Sequence, residues 1–596
     1  MARARFGGLS QAEVALFRAA PRGEVAVCGP PDPKHPDNDP AHADDWGPDR
    51  EIRAELIRWL CVDAEARTRV DPRGIRVRAA KITGKLDLSF ACVPFPLAFM
   101  RCRLTHDADL TSAEIPLLAL PGTWVKSVSA DRANVKGSVF LRDGFTAEGE
   151  VRLPGAQIGG VLACIGGTFK NATGSALNAD GACVRGDVFL SGGFSAEGEV
   201  RLVGAQFGGS LACTGGTFKN APGEALSAGR ANVTGSVFLR EGFSAEGEVR
   251  LVGAQIGGDL ECPKGTFKNP GGIALSVGRA NVRGAVFLIE GFSAEGEVRL
   301  LGAQIGGQLD CTGGRFTKLT AQSATVQGAL FWSNVKDAKG AKLDLRKASV
   351  GAIADDEASW PERGKLFLDG FVYQHIAEGP TDAPTRLKWL DRQQPLTLQP
   401  YRQLAKVLRE TGDARGAREV VYEMEHRRRK EHDRNWLAWL RSWVLRLTIG
   451  YGLRPVRALV WLTGLTLVGF VLFGLGYFGG AVVPTDQDAY DFFQKTGYPP
   501  AHYPRFHASA YTLENSFPLV SLGQKDHWRP KPQGPAYEHV AKPRFLKALQ
   551  DFTAWGVHPF RPVPGFLGGF LCLQIIAGWV LATLFVAGLT GIVRAE

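Results

Sequence analysis

The sequence predicts a mainly β protein: a parallel β-helix, followed by a helical hairpin and two transmembrane helices. Three observations predict it. One 49-residue segment recurs four times, glycine punctuates every short apolar run, and two long charge-free apolar stretches lie near the end of the chain. The repeat is nearly literal. "TAEGEVRLPGAQIGGVLACIGGTFKN" begins at Thr146, and close copies begin at Ser195, Ser244 and Ser293. Glu148, Glu197, Glu246 and Glu295 are 49 residues apart, as are Cys164, Cys213, Cys262 and Cys311. Strict spacing over three intervals is the signature of a repeat architecture.

The totals agree. The 596 residues suffice for several domains, and 45% hydrophobic with 22% charged residues is an ordinary globular balance. The 73 glycines are too dispersed for collagen and too interleaved with Val, Leu and Phe for a linker, so they mark tight turns. The net charge of +10 is concentrated: Thr381 to Arg457 holds 17 Lys/Arg against 9 Asp/Glu and ends where the first apolar run begins. That placement points to an anionic membrane surface and not to nucleic acid. The ten cysteines form no CxxC pair and no Cys/His cluster with zinc spacing, so no metal or cofactor is expected. The opening "MARARFGGLSQAEVALFRAA" has no signal-peptide core and reads as a cytoplasmic start.

Residues 1–70 are expected to hold an irregular segment and a capping helix. "GPPDPKHPDNDPAHADDWGP" is rich in Pro and Asp. The helix is read from Asp49, with Ile52, Leu56, Ile57, Leu60 and Cys61 on one face.

Residues 71–352 are assigned to the solenoid. The 49-residue unit divides in two: "AQIGGVLAC" at Ala156 has relatives in "ACVRGDVFL" at Ala182, "ANVTGSVFL" at Ala231 and, far upstream, "AKITGKLDL" at Ala80. Spacings alternate between 23 and 26 residues, so each unit is two turns. Ala and Ile or Val point inward and Gly turns the corners. A helical repeat is excluded because each interior Gly would cost about 1 kcal/mol. The Ala-x-(Ile/Val)-x-Gly unit resembles the pentapeptide-repeat proteins and related right-handed β-helices. That resemblance implies a right-handed coil of about eleven turns from Gly74 to Gly351, roughly 50 Å long at the strand spacing. Only about one side of each turn fits the pentapeptide pattern well.

Two features of the repeat resemble chemistry. The Cys column alternates with Leu (Cys164, then Leu190), which puts successive Cys about 9.5 Å apart, beyond disulfide reach, as apolar core. The Glu-x-Glu-x-Arg runs (Glu148, Glu150, Arg152 and copies) are read as a solvated charge ladder, since a catalytic carboxylate pair is needed once, in a cleft. No catalytic, cofactor-binding or metal residue is assigned.

Residues 353–400 are read as the C-terminal cap of the rod. Residues 401–457 form a basic helical hairpin and an interfacial helix: Leu404, Leu408, Ala417, Val420, Val421 and Met424 recur at helical spacing, and Trp436, Trp439 and Trp443 mix with Arg441 and Arg446. Residues 458–483 and 564–593 are the two transmembrane helices, each longer than the ~20 residues a bilayer requires. Nine Lys/Arg between Arg427 and Arg457 place the rod and the C-terminus in the cytoplasm of a multi-pass inner (plasma) membrane protein. Between the spans, residues 484–563 form an extracytoplasmic loop. Its stretch 507–524, "HASAYTLENSFPLVSLGQ", is apolar, too short to span, and could re-enter the membrane. This layout resembles two-span ion channels, without their Thr-x-Gly-Tyr-Gly filter.

The layout also resembles bacterial membrane proteins with a cytoplasmic repeat rod and two C-terminal spans. The shared features are "GAQIGGxLxC", "YRQLAKVLRETGD" and "GWVLATLFVAGLTGIV". Such proteins are sometimes labelled membrane-associated oxidoreductases, and the resemblance implies that activity. The residues supply no motif for it: the one G-x-G-x-x-G, at Gly474, lies inside an apolar run with no strand before it. The functions expected are, in order, a non-enzymatic membrane-anchored scaffold with an unidentified protein partner on the β-helix face, a subunit of an oligomeric channel or transporter, and an oxidoreductase. The lipid bilayer is an expected partner, and a homo-oligomer an open alternative.

Overall fold

In the computed structural model the described residues are 5–432, 443–448, 450, 456–517, 519–531 and 564–589. They belong to two compact units, Met1–Val420 and Val421–Glu596.

The first unit is a parallel β-solenoid of about 13 turns. A turn carries four short strands, such as Asn134–Val135, Val139–Phe140, Thr146–Ala147 and Val151–Arg152, or merges two of them into one longer strand, as in Thr168–Asn178. The next turn stacks on it in parallel register: Val135 on Ile158, Val139 on Leu162, Ala147 on Phe169 and Val151 on Leu177. The rod is therefore four-sided, with register shifts where one longer strand spans two sides, as between Lys170 and Ser175. The sequence shows one side clearly because only that side repeats the Ala-x-(Ile/Val)-x-Gly pattern. The others satisfy the same inward position with Val/Leu or with alternating Ala and Phe.

That alternation builds the centre of the core. Phe145, Phe169, Phe194, Phe218, Phe243, Phe267, Phe292 and Phe316 stack in one column, with neighbouring centroids 5.1–5.3 Å apart, and Trp332 closes it. Rings at this separation and tilt attract beyond their buried area. The Cys–Leu column lies in the same interior: Cys164, Leu190, Cys213, Leu239, Cys262, Leu288 and Cys311 are all buried, and every cysteine is a free thiol. Close stacking also explains the paired glycines. A Cβ on Gly208 would stand 2.1 Å from the Arg185 carbonyl oxygen, which no rearrangement of a rigid rung relieves.

The solenoid is longer than the eleven turns expected because both ends recruit residues that carry no repeat. Val25–Val27 pairs with Arg76–Arg78, and Glu51–Arg53 pairs with Lys81–Thr83, so the residues on either side of the stretch read as irregular form the first rungs. Ile52, expected on the capping helix, is a buried strand residue; the helix itself is Ala54–Val62, with Leu56, Ile57, Leu60 and Cys61 inward as predicted. A second helix, Gln11–Ala19, opens with a capping box on Ser10 and Glu13 and covers this end. Ser10 Oγ donates to the Glu51 carbonyl at 2.5 Å, and Glu13 accepts from Arg53 N–H at 3.1 Å, satisfying groups at the strand edge.

At the other end, Leu366–Phe367 and Val372–Glu378 form the last rung. Helix Gln399–Glu410 closes it: Gln403 Nε2 donates to the Tyr373 carbonyl at 2.6 Å, Gln399 Nε2 to the Phe371 carbonyl at 3.1 Å, and Gln399 Oε1 accepts from Gly370 N–H at 2.9 Å. Side-chain amides thus replace the missing next strand. The predicted hairpin is present as Gln399–Glu410 and Ala414–His432, with Leu404, Leu408, Ala417, Val420 and Met424 buried and Val421 half-buried.

The second unit contains two helices long and apolar enough to cross a membrane, Val456–Phe478 and Pro564–Leu589. The stretch 482–484, whose first two residues fall in the expected first span, is instead a strand, antiparallel to Trp528–Pro530. Of the expected interfacial helix, Trp443 and Arg446 lie in the helical stretch 443–448; Trp436, Trp439 and Arg441 lie outside the described residues, as do 532–563 of the expected loop and the last residues of 564–593.

Candidate functional site

Two places combine polar chemistry with a defined frame: the outer columns of the rod, and a hairpin lodged between the two apolar helices.

On the rod, register turns the repeat into columns. Arg152, Arg201, Arg250 and Arg299 occupy every second rung of one side, with Asn178, Ser227 and Ser276 between them. Successive arginines are therefore about 9.6 Å apart. Each holds a carboxylate: Arg152 to Asp131 at 2.8 Å, Arg201 to Asp180 at 2.7 Å, Arg250 to Glu224 at 3.2 Å and Arg299 to Glu297 at 2.7 Å. On the adjoining side Lys170, Glu197, Lys219, Glu246, Lys268 and Glu295 alternate in direct register. The Glu-x-Glu-x-Arg run is thus divided among columns: Glu197, Glu246 and Glu295 face lysines, whereas Glu248 lies in register with Glu224. Glu297 shows the balance: burial would raise it, but hydrogen bonds from Arg299, Thr320 and Lys318 bring it down to about 2. Glu199 and Glu248 are raised, first by burial. Exposed pairs of this kind contribute about 0.2–1 kcal/mol each, so the ladder adds little stability and leaves a patterned surface.

A third column was not foreseen. Asn134, Gln157, Gln206, Asn232, Gln255 and Gln304 project outward, and Lys136 and Arg185 flank Gly159 beside them. The glycine opens a cleft of about 430 Å³ bounded by Asn134, Lys136, Gln157, Cys183 and Arg185. In the sequence Gln157, Gln206, Gln255 and Gln304 recur in every copy, but only the register of the half-repeats sets them in one column with Asn134 and Asn232.

The buried thiols of the core carry no accessible chemistry. Burial pushes Cys102 up to about 12 and drives Cys164, Cys213 and Cys262 above the ordinary range. At neutral pH iodoacetamide is expected to alkylate exposed Cys92 and to spare Cys102, Cys164, Cys213, Cys262 and Cys311, as peptide mass mapping would show. Alkylation of the core thiols as fast as Cys92 would mean that the rod opens. Among the described residues no group of three or more His, Cys, Asp or Glu side chains is placed to hold a metal.

The hairpin occupies the stretch singled out as re-entrant. Helix Ala508–Ser516 packs between the two apolar helices. Two glycines admit it: a Cβ on Gly578 would lie 2.3 Å from the Ser516 carbonyl oxygen, and one on Gly469 would lie 2.7 Å from Thr512 Cγ2. Gln574, fully buried, donates Nε2 to Ser516 Oγ at 2.7 Å and to the Thr512 carbonyl at 3.3 Å. The chain then turns and comes back. The Glu514 carboxylate accepts from the N–H groups of Leu522, Gly523, Gln524 and Lys525 at 2.8–3.1 Å, and Gln524 Oε1 accepts from His507 N–H at 3.0 Å. Phe517, at the tip, packs against Ala458, Leu462 and Leu581. Sequence reasoning located this segment but could not see Glu514 as its clasp, since four backbone donors have no sequence signature. The glycines of "GLGYFG" serve packing, as Gly476 lies against Leu567.

No protein-family profile, curated protein or solved structure matches the chain.

Proposed function

We propose that the protein is a membrane-anchored scaffold. The solenoid offers its outer columns to a protein partner, and the two apolar helices hold the chain in the inner (plasma) membrane with the rod and the C-terminus cytoplasmic. The observation that carries the scaffold reading is the recurrence of Arg152, Arg201, Arg250 and Arg299 on every second rung. Chemistry at one centre needs unlike groups converging once, whereas a long partner surface is matched by like groups recurring at a fixed step. The arginines are also weakly held, so exchanging their carboxylate partners for a protein's own costs little. The orientation follows from the basic flank of the first apolar helix.

The test uses full-length protein in lipid nanodiscs as bait, beside a variant with all four arginines replaced by Ala. Circular dichroism should show an unchanged fold, because the column lies outside the core. A defined set of proteins retained by the wild type is expected to be lost by the variant. Retention of the same set by both would remove the column as the docking surface and this reading with it.

A further inference from the structure

The hairpin between the apolar helices presents a physical problem that the described residues of one copy do not solve. Gly578, which touches Ser516, lies about 21 Å along the second apolar helix from Pro564, at 1.5 Å per residue. Phe517 packs against the cluster of Ala458, Leu462 and Leu581, whose first two members lie within the first two turns of the first apolar helix. The tip therefore stands well inside the apolar belt of both helices. From it the segment 519–523 returns without regular secondary structure. No described residue donates a hydrogen bond to the carbonyls of Leu519, Val520 or Ser521, and Leu519, Ser521 and Leu522 are exposed. Irregular backbone with open carbonyls is tolerated at membrane depth only where protein buries it or where it lines water.

We propose that several copies of this chain assemble with Leu519–Gly523 facing a shared axis, and that the carbonyls of this segment line a water-filled path for a monovalent cation. A second copy is the occupant the geometry favours. Lipid cannot hydrogen-bond these carbonyls, and two helices with one hairpin cannot enclose a path alone. The sign of the ion follows from the groups presented. Carbonyl oxygens replace the hydration shell of a cation, and helix Ala508–Ser516 directs the partial negative charge of its C-terminus to the same depth. Glu514 is spent on four N–H groups, so it holds the returning segment by its donors and takes none of its carbonyls. Gln574, its Oε1 buried without a partner, fastens the helix from behind. The inference is independent of what binds the rod.

The full-length protein would be reconstituted into phosphatidylcholine–phosphatidylglycerol vesicles, with insertion established by resistance to carbonate extraction. Rubidium-86 uptake above empty vesicles is expected, without chloride uptake, together with an oligomer by native mass spectrometry from nanodiscs. Ser521→Cys should conduct, and a membrane-impermeant cationic methanethiosulfonate should reduce its uptake to the level of empty vesicles while leaving the wild type unaffected. Should Ser521→Cys not assemble, Leu519→Cys serves the same test. Inserted protein that is monomeric, takes up no rubidium, or conducts regardless of modification at both cysteines overturns the inference and leaves the anchored scaffold standing. Failure to insert overturns both.

Discussion

Asp355→Ala is expected to destabilise the C-terminal end of the rod by about 3–5 kcal/mol, the cost of leaving a buried charge unpaired. Arg386 is wholly inaccessible, and Asp355 nearly so. The pair is bidentate, Nη2 to Oδ1 at 2.6 Å and Nη1 to Oδ2 at 2.8 Å, while Arg386 Nε donates to the Pro380 carbonyl and Trp360 Nε1 donates to Asp355 Oδ2. Removing the carboxylate strands both the guanidinium and the indole. Because a solenoid is held together rung by rung, the damage should stay local. Hydrogen exchange is expected to accelerate over residues 366–410 and to remain unchanged near Phe169. Asp355→Leu combined with Arg386→Met should recover most of the loss, since replacing a whole buried pair by apolar groups is often neutral. Unchanged exchange at 366–410 in the single variant would show that the pair does not hold the cap.

Phe218→Ala is the second large effect, about 3–5 kcal/mol from lost burial and the cavity left behind. Its ring lies 5.1 Å from Phe194 and 5.2 Å from Phe243, and it is fully buried. The neighbours cannot close the gap, because their positions are fixed by the strand ladder on each side. Faster exchange is expected across the rungs from Phe194 to Phe243, with both capped ends retaining their protection. A loss spread evenly along the rod would contradict the rung-by-rung picture, and no loss would show that the column collapses around the gap.

Much of the molecule is legible in its sequence. The 49-residue period required identical turns to stack, and the alternation of Cys164 with Leu190 identified a core column. The two apolar runs became two helices of membrane-spanning length. The re-entrant candidate was located by its apolar composition between those runs. What stayed hidden has a common cause. Phe145 and Phe169 stand at different places in the two half-repeats, so no alignment of the repeat shows them in one column; they meet because one turn advances its ring as the next withdraws it behind Ala147. Val25–Val27 and Glu51–Arg53 look like nothing in particular, since a first rung needs only to match the edge above it.

The sequence by itself determined the parallel solenoid, its period, its inward apolar positions and the two apolar helices, because each of these is a local pattern repeated until no other fold satisfies it. The tertiary structure alone decided the rest. It chose four sides over fewer, the aromatic column, the pairing of Asp355 with Arg386, and the clasp of Glu514 on Leu522, Gly523, Gln524 and Lys525. Those contacts depend on where the chain returns in space, and a return of 10 or 30 residues leaves no periodic trace along the chain.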